Sequence, residues 1–311
     1  MRRMKLLPLV LVLCSLVATA PAQPGSDQAI ADYTKAIRLS PEDATAWYNR
    51  GVAWLAKKEF DKAILDFNRA IRLEPKYALA YYKRGNAWRE KKEFDKAIAD
   101  YTEAIRRDPK DAGSHNNRGI AWREKKDFDK AIADYTEAIR IDPKIAAAYN
   151  NRGESWSNKK EYDKAIYDYN EAIRLVPNFG MALSNRGAAW SHKKEYGKAI
   201  SDYSEASRID PKDANTWNAS AWFAATCPDA RYRNGKNAVE HATRACELTA
   251  WKDGAMLDTL AAAYAEAGDF PNAVKWAEKA VELAPKEMKG ELRSHLDVFK
   301  AHKPYREEVT K

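Results

Sequence analysis

Small and apolar residues recur through this chain at intervals of three, four and seven, separated by polar stretches rich in Lys, Glu and Asp. That spacing puts one apolar stripe on each of two short helices and then begins again, so the pattern predicts a succession of helical hairpins. The period is 34 residues: AWREKKEFDKAIADYTEAIRRDP at 87–109 returns almost unchanged as AWREKKDFDKAIADYTEAIRIDP at 121–143. A fixed period of this size marks stacked repeats, each too small to bury its apolar face alone.

Five units keep one register over 44–77, 78–111, 112–145, 146–179 and 180–213. Each has Gly at position eight (Gly51, Gly85, Gly119, Gly153, Gly187), Trp at eleven (Trp54, Trp88, Trp122, Trp156, Trp190) and Ala at twenty. The small residues let two helix axes approach, and aromatics such as Trp54, Phe60 and Phe67 fill the space around them. Proline at thirty-two (Pro75, Pro109, Pro143, Pro177, Pro211) stops the second helix, because it cannot continue the hydrogen-bond ladder and disfavours helical geometry in the residue before it. Asp43, Asp111 and Asp213 stand where N-caps of following helices are needed. Residues 26–43 match only the second helix of a unit. Residues 214–253 form a degenerate unit in which TCPDARYRNG (226–235) adds five residues between the helices. A regular unit follows at 254–287, then a capping helix over 288–304 with Leu292, Leu296 and Phe299 on one face, as a stacked array needs at its end. A charged, frayed tail is expected over 305–311.

With an aromatic at positions four, eleven and twenty-four, Gly at eight, Ala at twenty and twenty-seven and Pro at thirty-two, the unit resembles the tetratricopeptide repeat (TPR) over about residues 26–287, in a chain of the exported bacterial type. The resemblance implies an all-α fold, a right-handed α-solenoid of antiparallel helical hairpins known as the TPR superhelix. One departure is regular: Lys58, Lys92, Lys126, Lys160 and Lys194 stand at the turn where the family often carries Gly. Either the turn differs, or packing holds each lysine in a left-handed conformation that costs on the order of 1 kcal/mol.

Two polar series are superimposed on the framework. Position seven is Arg50, Arg84, Arg118, Arg152 and Arg186, and position twenty-three is Asp66, Asp100, Asp134, Asp168 and Asp202. Both vanish together in the last two units, where Ser220 and Leu260 face His241 and Trp276 in the alignment. Their joint loss predicts a structural ladder of ion pairs, each Arg joining the Asp of its own unit or of the preceding one. The second series is Asn49, Lys83, Asn117, Asn151 and Asn185 at position six, flanked by Tyr48, Tyr82, Asn116 and Asn150 at five and by Asn86 at nine. The resemblance places these on the concave face, and they are similar to the asparagine ladder with which a protein-glycosylating transferase of the family holds an extended peptide. A primary amide offers one acceptor and two donors, enough to hold a backbone without reading its side chains. The row is equally compatible with plain framework. The carboxylate clamp by which some members hold chaperone tails fits worse, since Ala147 and Asn151 stand where Lys and Arg would be needed.

The start of the chain, MRRMKLLPLVLVLCSLVATAPAQ, has a basic beginning, an apolar run of about 13 to 15 residues and an Ala-Pro-Ala. This predicts a signal peptide over 1–22 and export to the periplasm or medium; the run is short of the roughly 20 residues that span a bilayer, and an uncleaved leader would make it an N-terminal anchor instead. Net charge is +8, of which Arg2, Arg3 and Lys5 supply three. The remainder is too evenly mixed with Asp and Glu to point to nucleic acid. Past the leader, Cys227 and Cys246 are expected as buried thiols, because a disulfide would require the inserted loop to fold back along the second helix. The five histidines are scattered, and no metal-binding, nucleophile-elbow or phosphate-cradling motif occurs. No cofactor, metal or catalytic residue is expected. The resulting expectation is a non-catalytic scaffold that binds a protein or extended peptide in its concave groove, with an envelope-associated enzyme accessory or carbohydrate-binding protein as the alternative.

Overall fold

In the computed structural model, residues 26–306 are described, and they contain sixteen α-helices, one short 3-10 turn at Ala230–Tyr232 and no strand. The signal peptide expected over 1–22 and residues 307–311 lie outside them. The chain divides into two compact units that meet in sequence at Arg107 and Asp108. The first contains α1 (Ser26–Leu39), α2 (Ala44–Ala56), α3 (Phe60–Leu73), α4 (Ala78–Glu90) and α5 (Phe94–Arg107). The second contains α6 (Ala112–Glu124), α7 (Phe128–Ile141), α8 (Ala146–Asn158), α9 (Tyr162–Leu175), α10 (Gly180–His192), α11 (Tyr196–Ile209), α12 (Ala214–Thr226), α13 (Gly235–Leu248), α14 (Gly254–Glu266), α15 (Phe270–Leu283) and α16 (Lys289–Lys300). In both, a first helix packs on its own second helix and on the second helix of the preceding repeat, and touches the first helix of the next, which gives an all-α helical-repeat solenoid. The first helices therefore form a continuous layer within each unit.

The close approach depends on Gly at position eight. A Cβ on Gly153 would lie 2.7 Å from Tyr169 Cε1, and one on Gly119 equally close to Tyr135. The alanines at twenty are fully buried. The tryptophans at eleven are only half-buried. Their outer faces are covered by the lysine at nineteen: Lys62 Nζ lies 4.6 Å from the Trp54 ring centre, Lys130 4.3 Å from that of Trp122, and Lys164 4.4 Å from that of Trp156. This is cation–π geometry, so the lysine of each FDKA or YDKA sequence covers a framework ring.

Asp43, Asp111 and Asp213 accept hydrogen bonds from backbone N–H groups in the first turns of α2, α6 and α12. The turn lysines adopt the left-handed conformation, with φ of 60° to 63°, beside Gly268 at 83°. Lys58 N donates to Leu55 O and Glu59 N to Trp54 O, which closes α2 in the manner of a glycine-ended helix. Packing of the two helices holds lysine in the conformation that glycine adopts without a Cβ penalty.

Cys227 and Cys246 are not bridged to each other, and both are buried, in different apolar clusters. Burial, and after it the charge of Asp253, pushes the Cys246 thiol up to about 12. The end of the chain corrects one expectation. Tyr305 and Arg306 are not frayed: Tyr305 packs with its ring 5.6 Å from Trp222 and 4.3 Å from His295, because these partly apolar surfaces on α12 and α16 give the aromatic ring somewhere to bury.

Candidate functional site

Each repeated arginine meets the aspartate of its own repeat through two parallel hydrogen bonds. Nε and Nη2 of Arg152 donate to Asp168 at 2.8 and 2.7 Å, and the same two atoms join Arg50 to Asp66, Arg84 to Asp100, Arg118 to Asp134 and Arg186 to Asp202. Of the two arrangements open to the sequence, the structure has the one within the repeat. The preceding repeat is reached through a different residue: Nη1 of Arg50 donates to Thr34, of Arg84 to Asn68, of Arg152 to Thr136 and of Arg186 to Asn170. The guanidinium thus ties three helices together, and its rigid fork is suited to that task. The aspartates are buried. Burial raises the Asp100 and Asp168 carboxyls above the ordinary range, against the pull of Arg84 and Arg152.

The asparagines behave differently in the two units. In the second, they bond one another from repeat to repeat: Asn151 Nδ2 donates to Asn116 Oδ1 and Asn185 Nδ2 to Asn150 Oδ1, each at 3.1 Å, while Asn116 donates to Asn117 at 3.2 Å. Asn150 is buried and Asn117, Asn151 and Asn185 are half-buried. The amides are therefore fixed in orientation along α6, α8 and α10. Beside them Arg123 Nη1 donates to Glu154 Oε2 at 2.5 Å, and burial raises the Glu154 carboxyl while Arg123 lowers it. In the first unit, Tyr48 lies 4.9 Å from Tyr77 and 6.0 Å from Phe67, Tyr82 lies 6.0 Å from Tyr101, and Asn86 accepts from the Tyr101 hydroxyl at 2.8 Å. Burial, with the neighbouring Tyr77 and Tyr82, pushes the Tyr48 hydroxyl up to about 12. Lys83 Nζ lies 5.4 Å from the Tyr82 ring centre, and Asn49 is half-buried. The row is thus two amide-bonded groups in the second unit, Asn151–Asn116–Asn117 and Asn185–Asn150, and a mainly aromatic packing face in the first.

Several polar pairs were not found from the sequence. Ser220 Oγ lies 3.0 Å from His241 Nδ1, so positions seven and twenty-three remain partners after losing their charges. They line a cavity of about 260 Å³ between α11, α12 and the inserted loop. Burial holds the His241 imidazole below its ordinary pKa, with Glu240 opposing. Asp258 Oδ2 and His295 Nδ1, both buried, are 2.7 Å apart. Alignment of Ser220 with the arginine series was the signal available for the first pair; the second joins α14 to the capping helix, where no repeat register applies. His115 is buried with Nδ1 3.7 Å from Asp134 Oδ1. Among the described residues no cluster of three His, Cys, Asp or Glu side chains could hold a metal ion, and no helix is long and apolar enough to cross a membrane.

Family models described as tetratricopeptide repeat match residues 23–78, 59–112, 82–144, 146–179 and 254–284, together more than half of the chain. No curated protein matches it. Among solved structures, a chain of the APC/C hetero-tetramer Cut9–Hcn1 is similar at 16% identity and a TM-score of 0.68, over 88% of this chain and 53% of that one. Yeast Tom70 is similar at 16% identity and a TM-score of 0.63, over 89% and 59%. YrrB, a TPR protein described as having an unusual peptide-binding site, is similar at 22% identity and a TM-score of 0.51, over 61% of this chain and 98% of that one. These likenesses are of fold.

Proposed function

The chain belongs to the tetratricopeptide repeat family, and from that premise we propose that it is a non-catalytic scaffold whose first-helix layer binds a protein or an extended peptide. The observation that carries this reading is the amide-to-amide bonding between repeats in the second unit. Asn116, Asn151 and Asn185 are half-buried and oriented by bonds among Asn116, Asn117, Asn150, Asn151 and Asn185, and a primary amide offers one acceptor and two donors. A row of oriented amides suits an extended backbone, which presents N–H and C=O groups regardless of sequence. YrrB, described with a peptide-binding site on a similar fold, supports the same reading. We further propose, from the leader alone, that the mature chain works outside the cytoplasm, in the periplasm or the medium.

The test is affinity capture with the chain against Asn117→Ala/Asn151→Ala/Asn185→Ala. The partners held by the unaltered chain should be lost or sharply reduced on the variant. Undiminished capture by a variant with unchanged helical circular dichroism would overturn the reading.

A further inference from the structure

Five buried side-chain polar atoms have no hydrogen-bond partner among the described residues, and three of these are acceptor oxygens on α12 and α14: Asn218 Oδ1, Asp258 Oδ1 and Glu266 Oε2. Buried acceptors are nearly always paired, so Asn218 Oδ1 and Asp258 Oδ1 call for an explanation, whereas Glu266 Oε2 has a charge partner in Arg306. Asn218 and Asp258 occupy position five of consecutive repeats. Upstream, the oxygen at that position in Asn116 and Asn150 accepts from an asparagine at position six of the next repeat. After Asn218 that residue is Thr259, whose hydroxyl donates to Ala255 O instead, and the asparagine oxygen has no protein donor.

The same layer is crossed by the chain itself. After α16, residues 303–306 run without helix. The Tyr305 ring packs against Trp222 and His295, and Arg306 Nη1 donates to Ala225 O at 3.3 Å. Arg306 Nη2 lies 2.5 Å from Glu266 Oε2, a charge contact not aligned as a hydrogen bond, while Arg233 Nε holds the other oxygen at 3.0 Å.

We propose that this end of the first-helix layer is a binding site for an extended peptide carrying an aromatic residue followed by a basic one, and that Tyr305 and Arg306 fill it in cis. The aromatic slot is set by Trp222 and His295. The preference for a cationic neighbour is set by the carboxylate of Glu266, which Arg306 meets without an aligned hydrogen bond, and by the Ala225 carbonyl. A tethered segment competes at an effective concentration of roughly millimolar, so a free peptide must displace it. The inference rests on reading the first-helix layer as a peptide-binding face and names the chemistry accepted at one end of it.

The probe is a fluorescein-labelled peptide of residues 303–311, KPYREEVTK, followed by fluorescence anisotropy on the full chain. Tyr305→Ala/Arg306→Ala should bind it at least tenfold more tightly than the unaltered chain, and adding Glu266→Gln should remove most of that gain. The peptide KPAAEEVTK should not bind. Equal binding to both chains, or none to a folded variant, overturns the inference. If the double variant fails to fold, the unaltered chain with millimolar probe decides: faster amide exchange over 303–306 supports displacement, and unchanged exchange overturns it. Failure of the probe with partner capture by the asparagine row intact sinks this inference alone, whereas loss of that reading with the probe still bound sinks the other.

Discussion

Arg152 and Asp168 meet through two parallel N–H···O bonds of 2.8 and 2.7 Å, with the aspartate side chain 1% exposed and the arginine 16%. The pair recurs in five consecutive repeats, in each of which the aspartate is buried and the arginine partly so. Arg152→Ala should therefore destabilise the second unit by about 3 kcal/mol, the usual consequence of leaving a buried charge alone. Arg152→Met/Asp168→Leu should recover most of the loss. Hydrogen exchange of α8 and α9 amides is the appropriate measurement, since repeat arrays need not unfold in one step.

Lys160 has φ of 61° at its turn. Lys160→Gly removes a Cβ penalty of about 1 kcal/mol, part of which is offset by the greater freedom of glycine in the unfolded chain. The variant should show a small rise in thermal midpoint. Lys160→Val, β-branched at the same φ, should lower the midpoint.

Gly153→Ala places a methyl 2.7 Å from Tyr169 Cε1 and 3.1 Å from Ala165 O. Overpacking of this kind costs roughly 1–3 kcal/mol. The change should appear as a lower midpoint, and adding Tyr169→Leu, which removes the ring that the new methyl meets, should restore part of it.

The Asp258–His295 pair gives stability a pH dependence of known sign. Burial opposes the His295 charge, but the hydrogen bond and charge of Asp258, with Glu291, prevail and raise its pKa; burial raises that of Asp258. Both shifts mean that the folded chain holds more protons than the unfolded one, so stability falls as pH rises. The histidine contribution is complete below its unfolded value of about 6.5 and is lost as pH passes its raised folded value. The thermal midpoint of the unaltered chain should drop across that window relative to His295→Gln, and the His295 ring protons should titrate above 6.5 in NMR.

The sequence by itself determined the helices and their repeat. Gly at eight, Ala at twenty and Pro at thirty-two act through local geometry and close contact, so their period is readable without coordinates. It also marked Arg152 and Asp168 as partners, because the two series end together. It did not decide which aspartate each arginine takes, since partners forward and back in a repeat are alike in sequence and only the packed angle between helices separates them. The partners of the first-helix asparagines were hidden for a related reason. Asn86 is held by the Tyr101 hydroxyl in one unit while Asn151 is held by Asn116 in the other, and which happens depends on neighbours in space. The charged end of the chain was the least legible. Tyr305 and Arg306 find Trp222, His295 and Glu266 through contacts remote in sequence, and no local periodicity encodes a partner that only the stacking of α12, α14 and α16 brings within reach.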